Sequence, residues 1–314
     1  MTIPAISFSV VIPLYNKASH IVPTISSVLH QTHPPIEIVV VDDGSTDGSA
    51  ELIQKEFGEK INLIRQINKG VSTARNTGVL ATRSNYVAFL DADDVWHPNH
   101  LATLSLLIEQ FPGQGLYSTA HEIRQGKSNI RPASPYPSGT NIKVENFFEA
   151  MAFSLALVNS STACASRHHL IHLGGFPTDV KRGEDIIVWT KLAHQFGMAH
   201  SNTVTSIYNK NAENRCSNNA EIYLPGSLIY LHHLYKEEHL SDEEKYSLGK
   251  LYDTISFYTV AGFKAEEAAF SIVCFLRDAF ELRRAGLLFR LVAVFFAPAS
   301  FLRWLKEYRH KHRK

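Results

Sequence analysis

Three acidic clusters in this chain combine residue type and spacing in a way that could do chemistry. The run Val39-Val40-Val41 ends in Asp42-Asp43, and Tyr86-Val87-Ala88-Phe89-Leu90 ends in Asp91-Ala92-Asp93-Asp94. Carboxylates cannot follow a buried strand into the interior unpaired, since desolvating an ion without compensation costs several kcal/mol. In an open α/β sheet the crevice beyond the carboxyl ends of the strands is where ligands bind. Hard carboxylate oxygens there suit a Mn²⁺ or Mg²⁺ ion that itself holds phosphates. A polar turn is the plain alternative, because Asp is a common turn residue. The third cluster, Glu184-Asp185, precedes apolar positions Ile186, Ile187, Trp189, Leu192, Ala193 and Phe196. Acidic residues opening a helix are stabilising whatever else they do. A calcium loop on Asp43-x-Ser45-x-Asp47 is excluded, since its twelfth position is Gln54 rather than a bidentate Glu.

The elements that must position these groups alternate. Apolar runs predict strands at Ile6–Ile12, Ile36–Val41, Ile61–Arg65 and Tyr86–Leu90. Helical spacing predicts helices at Ser19–Leu29, Ser49–Phe57, Gly70–Ala81 and Pro98–Gln110, with Asp94 capping the chain into the last. Strands alternating with helices imply βαβ units and a mostly parallel sheet, so the two Asp clusters face one edge. Beyond Pro112 a hairpin around Gly126, helices at Val144–Phe153 and Glu184–Phe196, and a strand at Ser161–Ala165 are expected. From Glu221 onward the signals are helical.

Four blocks in order resemble glycosyltransferase family 2: Ser9-Val10-Val11-Ile12-Pro13-Leu14-Tyr15-Asn16, Val39-Val40-Val41-Asp42-Asp43-Gly44-Ser45-Thr46-Asp47, Asn68-Lys69-Gly70-Val71-Ser72-Thr73-Ala74-Arg75-Asn76, and Asp91-Ala92-Asp93-Asp94. The likeness continues at Gly174-Gly175-Phe176 and Gly183-Glu184-Asp185, over roughly residues 7 to 210. It implies a GT-A fold, a Rossmann-like α/β sandwich, and inverting transfer of a sugar from a nucleoside diphosphate. It implies that Pro13, Tyr15 and Asn16 border the base pocket and that Asp43 bonds the uracil or ribose. Gly70 and Arg75 would close that pocket, Asp91 and Ala92 would lie against the ribose, and Asp93 would hold the metal. Asp185 becomes the candidate general base, since an attacking hydroxyl must lose its proton and such a base contributes roughly 10²–10⁴-fold. The family's processive members carry Gln-x-x-Arg-Trp after the base. No such motif follows Asp185, which favours addition of a single sugar.

Composition sets the frame. The 314 residues, 45% hydrophobic and 19% charged, suit a large globular body with an extension. We expect a catalytic domain over residues 1–215, with a nucleotide half to 110 and an acceptor half from 111, then a helical region over 216–314. Net charge is +1, yet residues 281–314 carry nine Lys/Arg against two Glu. The apolar stretch 285–302 ahead of this basic run is interrupted by Arg290 and Pro298. With Trp304 and Tyr308 it fits an interfacial helix over 285–305 on an anionic membrane rather than a span. The alternative is a helix that packs its apolar face on the catalytic domain with a solvated basic tail; no nucleic-acid partner is expected. Cys164, Cys216 and Cys274 form no CxxC pair, and Pro13 breaks the first apolar run. Both fit a cytoplasmic protein without a signal peptide, peripheral at the inner membrane face. The expected partners are a UDP-sugar donor and a glycan or lipid-linked acceptor of a cell-surface pathway. Two competing readings are a sugar-1-phosphate nucleotidyltransferase and an inactive sugar-nucleotide-binding assembly partner. The first wants a basic Gly-rich loop where this chain has Pro13-Leu14-Tyr15-Asn16; intact Asp91, Asp93 and Asp185 weigh against the second.

Overall fold

The computed structural model describes residues 6–212, 226–237 and 239–262. Strands β1 (Phe8–Leu14), β2 (Glu37–Asp42), β3 (Asn62–Arg65) and β4 (Tyr86–Phe89) alternate with helices α1 (Ile21–Leu29), α2 (Ser49–Phe57) and α3 (Val71–Ala81). There follow β5 (Val95–Trp96), α4 (His100–Gln110), β6 (Leu116–Gln125), β7 (Ser128–Ile130), β8 (Asn141–Val144), α5 (Phe147–Phe153), β9 (Ala163–Ser166), α6 (Arg167–His172), α7 (Glu184–Phe196), β10 (Met198–Asn209), α8 (Gly226–Tyr235) and α9 (Asp242–Gly262).

The strands form one 10-stranded sheet in the order β3-β2-β1-β4-β9-β6-β10-β5, with β7 paired to β6 and β8 to β10. The β3-β2-β1-β4 block is parallel. Strand β9 runs against both β4 and β6, and these two reversals restore the original direction in β6 and its parallel partner β10. The carboxyl ends of β1, β2, β4, β6 and β10 therefore emerge on the same edge. That edge carries all three acidic clusters.

Both faces of the sheet are covered, which is why its strands read as continuous apolar runs. Alternate residues part to opposite faces. Val10, Ile12 and Val40 meet Ile21, Ile25 and Val28 of α1 and Leu101 and Leu104 of α4. Val11, Val39 and Phe89 belong to the other cluster, with Ala74 of α3, Met151 of α5 and Trp189 of α7. Gly78 lets α3 approach β1, since a Cβ there would collide with Val11 Cγ1. Leu228, Leu231, Leu248, Leu251 and Ile255 of α8 and α9 join this second cluster. The described helices beyond residue 215 thus share the core of the α/β body. Among the described residues no helix is long and apolar enough to cross a membrane. The 285–305 stretch and the basic tail lie outside them.

The structure differs from the sequence expectation mainly after β4. Residues 141–144 pair with β10 as a strand, and α5 starts only after Asn146, whose side chain accepts from the Glu149 N–H. Strand β10 gives little apolar signal because it buries polar residues in pairs. The Ser118 hydroxyl and His200 Nδ1 lie 2.8 Å apart, and Thr205 Oγ1 donates to Thr119 Oγ1 at 2.8 Å.

Candidate active site

At the carboxyl ends of β1 and β2, two loops lock together through hydrogen bonds from backbone N–H groups to side-chain oxygens. Asn16 adopts φ +51°, a left-handed conformation that Asn tolerates better than most residues. Its N–H donates to Ser45 Oγ at 3.0 Å, and its Oδ1 accepts from the Thr46 N–H at 2.8 Å. Tyr15 projects from this rim with 48% of its surface exposed, free to meet a planar ligand. Pro13, partly buried, lies in register with Val41. Asp43 is buried and its carboxylate organises a third loop. Oδ1 accepts from Gln66 Nε2 at 2.7 Å and the Lys69 N–H at 2.9 Å, and Oδ2 from the Gly70 N–H at 2.8 Å. Gly70 sits at φ +89°, ψ 162° before α3, and a Cβ there would meet open space. Backbone conformation, not crowding, explains the glycine.

The turn after β4 is bolted from beneath. Thr24 Oγ1 lies 3.0 Å from the Ala92 carbonyl and 2.8 Å from that of Asp94. The Asp91 N–H donates to Ser161 Oγ at 3.1 Å, and that hydroxyl donates to Asp94 Oδ2 at 2.5 Å. Asp94 Oδ1 accepts from the Asn209 N–H at 2.8 Å. Asp94 is therefore no helix cap; Asn99 stands at the start of α4. It is a buried tie between the turn and the end of β10. Burial, with Asp91 and Asp93 nearby, raises its pKa well above the ordinary carboxylate value.

Two cations hold the remaining carboxylates. Lys17 Nζ lies 2.7 Å from Asp93 Oδ2, and both side chains are nearly enclosed. Arg75, only 4% exposed, donates from Nη2 to Asp91 Oδ1 and from Nη1 to Glu184 Oε1, each at 2.9 Å. Its guanidinium carbon stands 5.3 Å from the centroid of the Phe176 ring. Phe176 is held by Asn76, which accepts from its N–H at 2.8 Å and donates to its carbonyl at 2.7 Å. Arg75 thus joins the end of β4 to the start of α7, bonding Asp91, 16 residues, and Glu184, 109 residues, further along the chain.

Asp185 follows Glu184 in the first turn of α7, after Gly183 at φ +79°. Its Oδ1 accepts from the Ile186 N–H at 2.8 Å. Burial is the largest influence on its carboxyl and raises the pKa; the Glu184 charge raises it further, Arg75 opposes, and the result is about 7. A carboxylate poised near neutrality is what proton abstraction at physiological pH calls for.

The structure brings Asp91, Arg75 and the Glu184-Asp185 pair into direct contact or sequence adjacency, with Asp93 on the same turn. Pro13, Tyr15, Asn16, Asp43 and Gly70 line loops on that same edge. Sequence reasoning missed Lys17, Thr24 and Ser161, because nothing in their spacing marks them and their partners lie 68 to 76 residues away. Among the described residues no group of three or more His, Cys, Asp or Glu could hold a metal ion by itself. Asp93 suits a different arrangement. A Mg²⁺-like ion takes one or two carboxylates and completes its shell with phosphate oxygens and water. The residues present fit a cation that arrives with a nucleotide. A separate cavity of about 960 Å³ opens near Ile6, Arg83, Tyr86, Arg167 and Ile171 and contains none of the site carboxylates.

The sheet thus carries Asp43, Asp91 and Asp93 at its strand ends, and Arg75 links Asp91 to the Glu184-Asp185 pair. The chain belongs to glycosyl transferase family 2, whose model matches residues 9–170. It is 38% identical over 141 residues to the amylovoran biosynthesis glycosyltransferase AmsB of Erwinia amylovora, covering 41% of this chain and 47% of that one. It is 44% identical over 118 residues to an uncharacterised glycosyltransferase of Nostoc, covering 37% and 36%. The matched stretch thus spans less than half the length of these curated relatives. Among solved structures, S. aureus TarS in complex with UDP-GlcNAc superposes with a TM-score of 0.68 at 18% identity, over 92% of this chain and 90% of that one. The mannosyltransferase PcManGT of Pyrobaculum calidifontis, in complex with GDP-Man and Mn²⁺, gives 0.57 at 19% identity, over 95% and 87%. The fold is of the GT-A type.

Proposed function

We propose that this chain transfers a single sugar from a UDP-sugar to a hydroxyl of a glycan or lipid-linked acceptor, with inversion, in polysaccharide biosynthesis. The observation that supports the reading is the Arg75 bridge, which ties Asp91 after β4 to Glu184, the chain neighbour of Asp185. In the reaction the acceptor O–H gives its proton to the Asp185 carboxylate while its oxygen attacks the anomeric carbon. The bond from that carbon to the diphosphate oxygen breaks on the opposite face, and its electron pair leaves with the diphosphate. Tyr15 and the Asp43-held loop bind the nucleoside and Asp91 orients the ribose. Asp93 would hold a divalent ion, which when bound would supply Lewis-acid neutralisation of the leaving diphosphate. A uridine donor is supported by the fold shared with a protein solved with UDP-GlcNAc, and the polysaccharide role by the likeness to AmsB.

The test is UDP release from a panel of nucleotide sugars with Mn²⁺, with and without glycan acceptors. Acceptor-dependent release supports the reading; binding of nucleotide without turnover on any acceptor would instead make the chain an inactive assembly partner. The basic tail is proposed to dock the enzyme on an anionic leaflet. Equal flotation of the full chain with anionic and neutral liposomes would rule this out.

A further inference from the structure

Asp91 and Asp93 each have a protein cation as partner, and one of these pairings is in the way of a metal. Lys17 Nζ lies 2.7 Å from Asp93 Oδ2, with the side chains only 12% and 13% exposed. Both backbones are fixed. The Lys17 carbonyl accepts from the N–H groups of His20 and Ile21 at 2.9 Å each, which starts α1. The flanking Asn16 and Ala18 N–H groups are tied to Ser45 Oγ at 3.0 Å and Asp47 Oδ2 at 2.8 Å. On the other side, Thr24 of α1 holds the carbonyls of Ala92 and Asp94. The ammonium thus rests against the carboxylate from a rigid frame, and only the flexible four-carbon stem can move it.

From this arrangement we infer that Lys17 is the resident counter-ion of Asp93 and makes divalent-cation binding conditional on the nucleotide. The inference rests on the reading of Asp93 as the metal ligand. A divalent ion approaching Asp93 alone meets an ammonium already neutralising that carboxylate, and like charges at such separations in a partly enclosed site repel strongly. A nucleoside diphosphate changes the balance, because its oxygens accept both the ammonium and the cation. Lys17 then turns from Asp93 to a phosphate oxygen. Each ligand so favours the other, and linkage makes the coupling equal in both directions. An empty cleft does not collect free metal.

The probe is Mn²⁺, followed by the loss of its free-ion electron paramagnetic resonance signal, with and without UDP. In the wild type, UDP tightens Mn²⁺ binding at least 100-fold. In Lys17→Met, Mn²⁺ binds at least 10-fold more tightly without UDP, and the enhancement by UDP falls at least 10-fold. Lys17→Arg keeps the charge and behaves as the wild type, which separates charge from side-chain size. If Lys17→Met, folded by circular dichroism, shows the wild-type affinity and enhancement, the counter-ion role is wrong. If Asp93→Asn binds Mn²⁺ with UDP as well as the wild type does, the metal-ligand reading itself fails and takes the inference with it.

Discussion

Substituting Asp185→Asn should disable the enzyme and stabilise it at the same time. Asp185 is half-buried beside Glu184, and its pKa is raised because burial and that neighbouring charge both penalise the ionised form. A carboxyl held near 7 rather than at its ordinary 3.8 binds its proton more tightly folded than unfolded. Its contribution to stability is therefore complete below the unfolded value and is lost as pH rises through the folded value. One pKa unit corresponds to about 1.4 kcal/mol, so the penalty on the ionised native state is at most about 4 kcal/mol. Asp185 keeps part of its surface in water and shares the repulsion with Glu184, which brings the expected effect to about 1–3 kcal/mol. Asn can still accept the Ile186 N–H and carries no charge to penalise. The variant should exceed the wild type in denaturant-measured stability by that amount at pH 8, with the gain vanishing toward pH 4. Turnover should fall at least ~100-fold with UDP affinity kept, the scale of a lost general base. Wild-type turnover would refute the catalytic role, and equal stability at pH 8 would refute the electrostatic one.

Three further outcomes follow from neighbouring contacts. In the wild type the acid limb of kcat should fall near neutrality, and Arg75→Met should move it to higher pH, because the Arg75 charge is the larger of the two influences that lower the Asp185 pKa. The same variant leaves Glu184 buried without its partner and should lose about 3 kcal/mol in urea unfolding, with half-exposed Asp91 contributing little. Asp94→Ala orphans the Asn209 N–H and the Ser161 hydroxyl, and should cost about 1–3 kcal/mol in thermal unfolding, while Asp94→Asn stays close to the wild type. Gly78→Ala forces α3 off Val11 and should cost about 1–3 kcal/mol of unfolding free energy in denaturant titration, without altering the affinity for UDP.

By itself the sequence determined the nucleotide-side architecture. The runs at Val39–Val41 and Tyr86–Leu90 are apolar because both faces of those strands are covered, and Gly44, Gly70 and Gly183 stand where φ is positive. Local rules are enough there, since each signal is carried by adjacent residues. The carboxylates were visible for the same reason: charge directly after a buried strand is costly unless it has a task. Their partners were not visible. Lys17 reads as an ordinary polar residue after a turn, Ser161 as the first residue of an expected strand, and Arg75 as a pocket residue whose carboxylate partners its spacing does not name. Only the fold brings them to Asp93, Asp94 and Asp91. Strand β10 escaped notice because it buries polar residues, of which His200 and Thr205 find partners across the sheet, so its burial leaves no apolar pattern. The tertiary structure also decided what each carboxylate is. Asp94 is a buried tie, Asp93 is an ion pair with Lys17, and Asp185 is a raised carboxyl in the first turn of α7. These differences come from desolvation and from charges brought close by folding, over sequence separations that no local pattern spans.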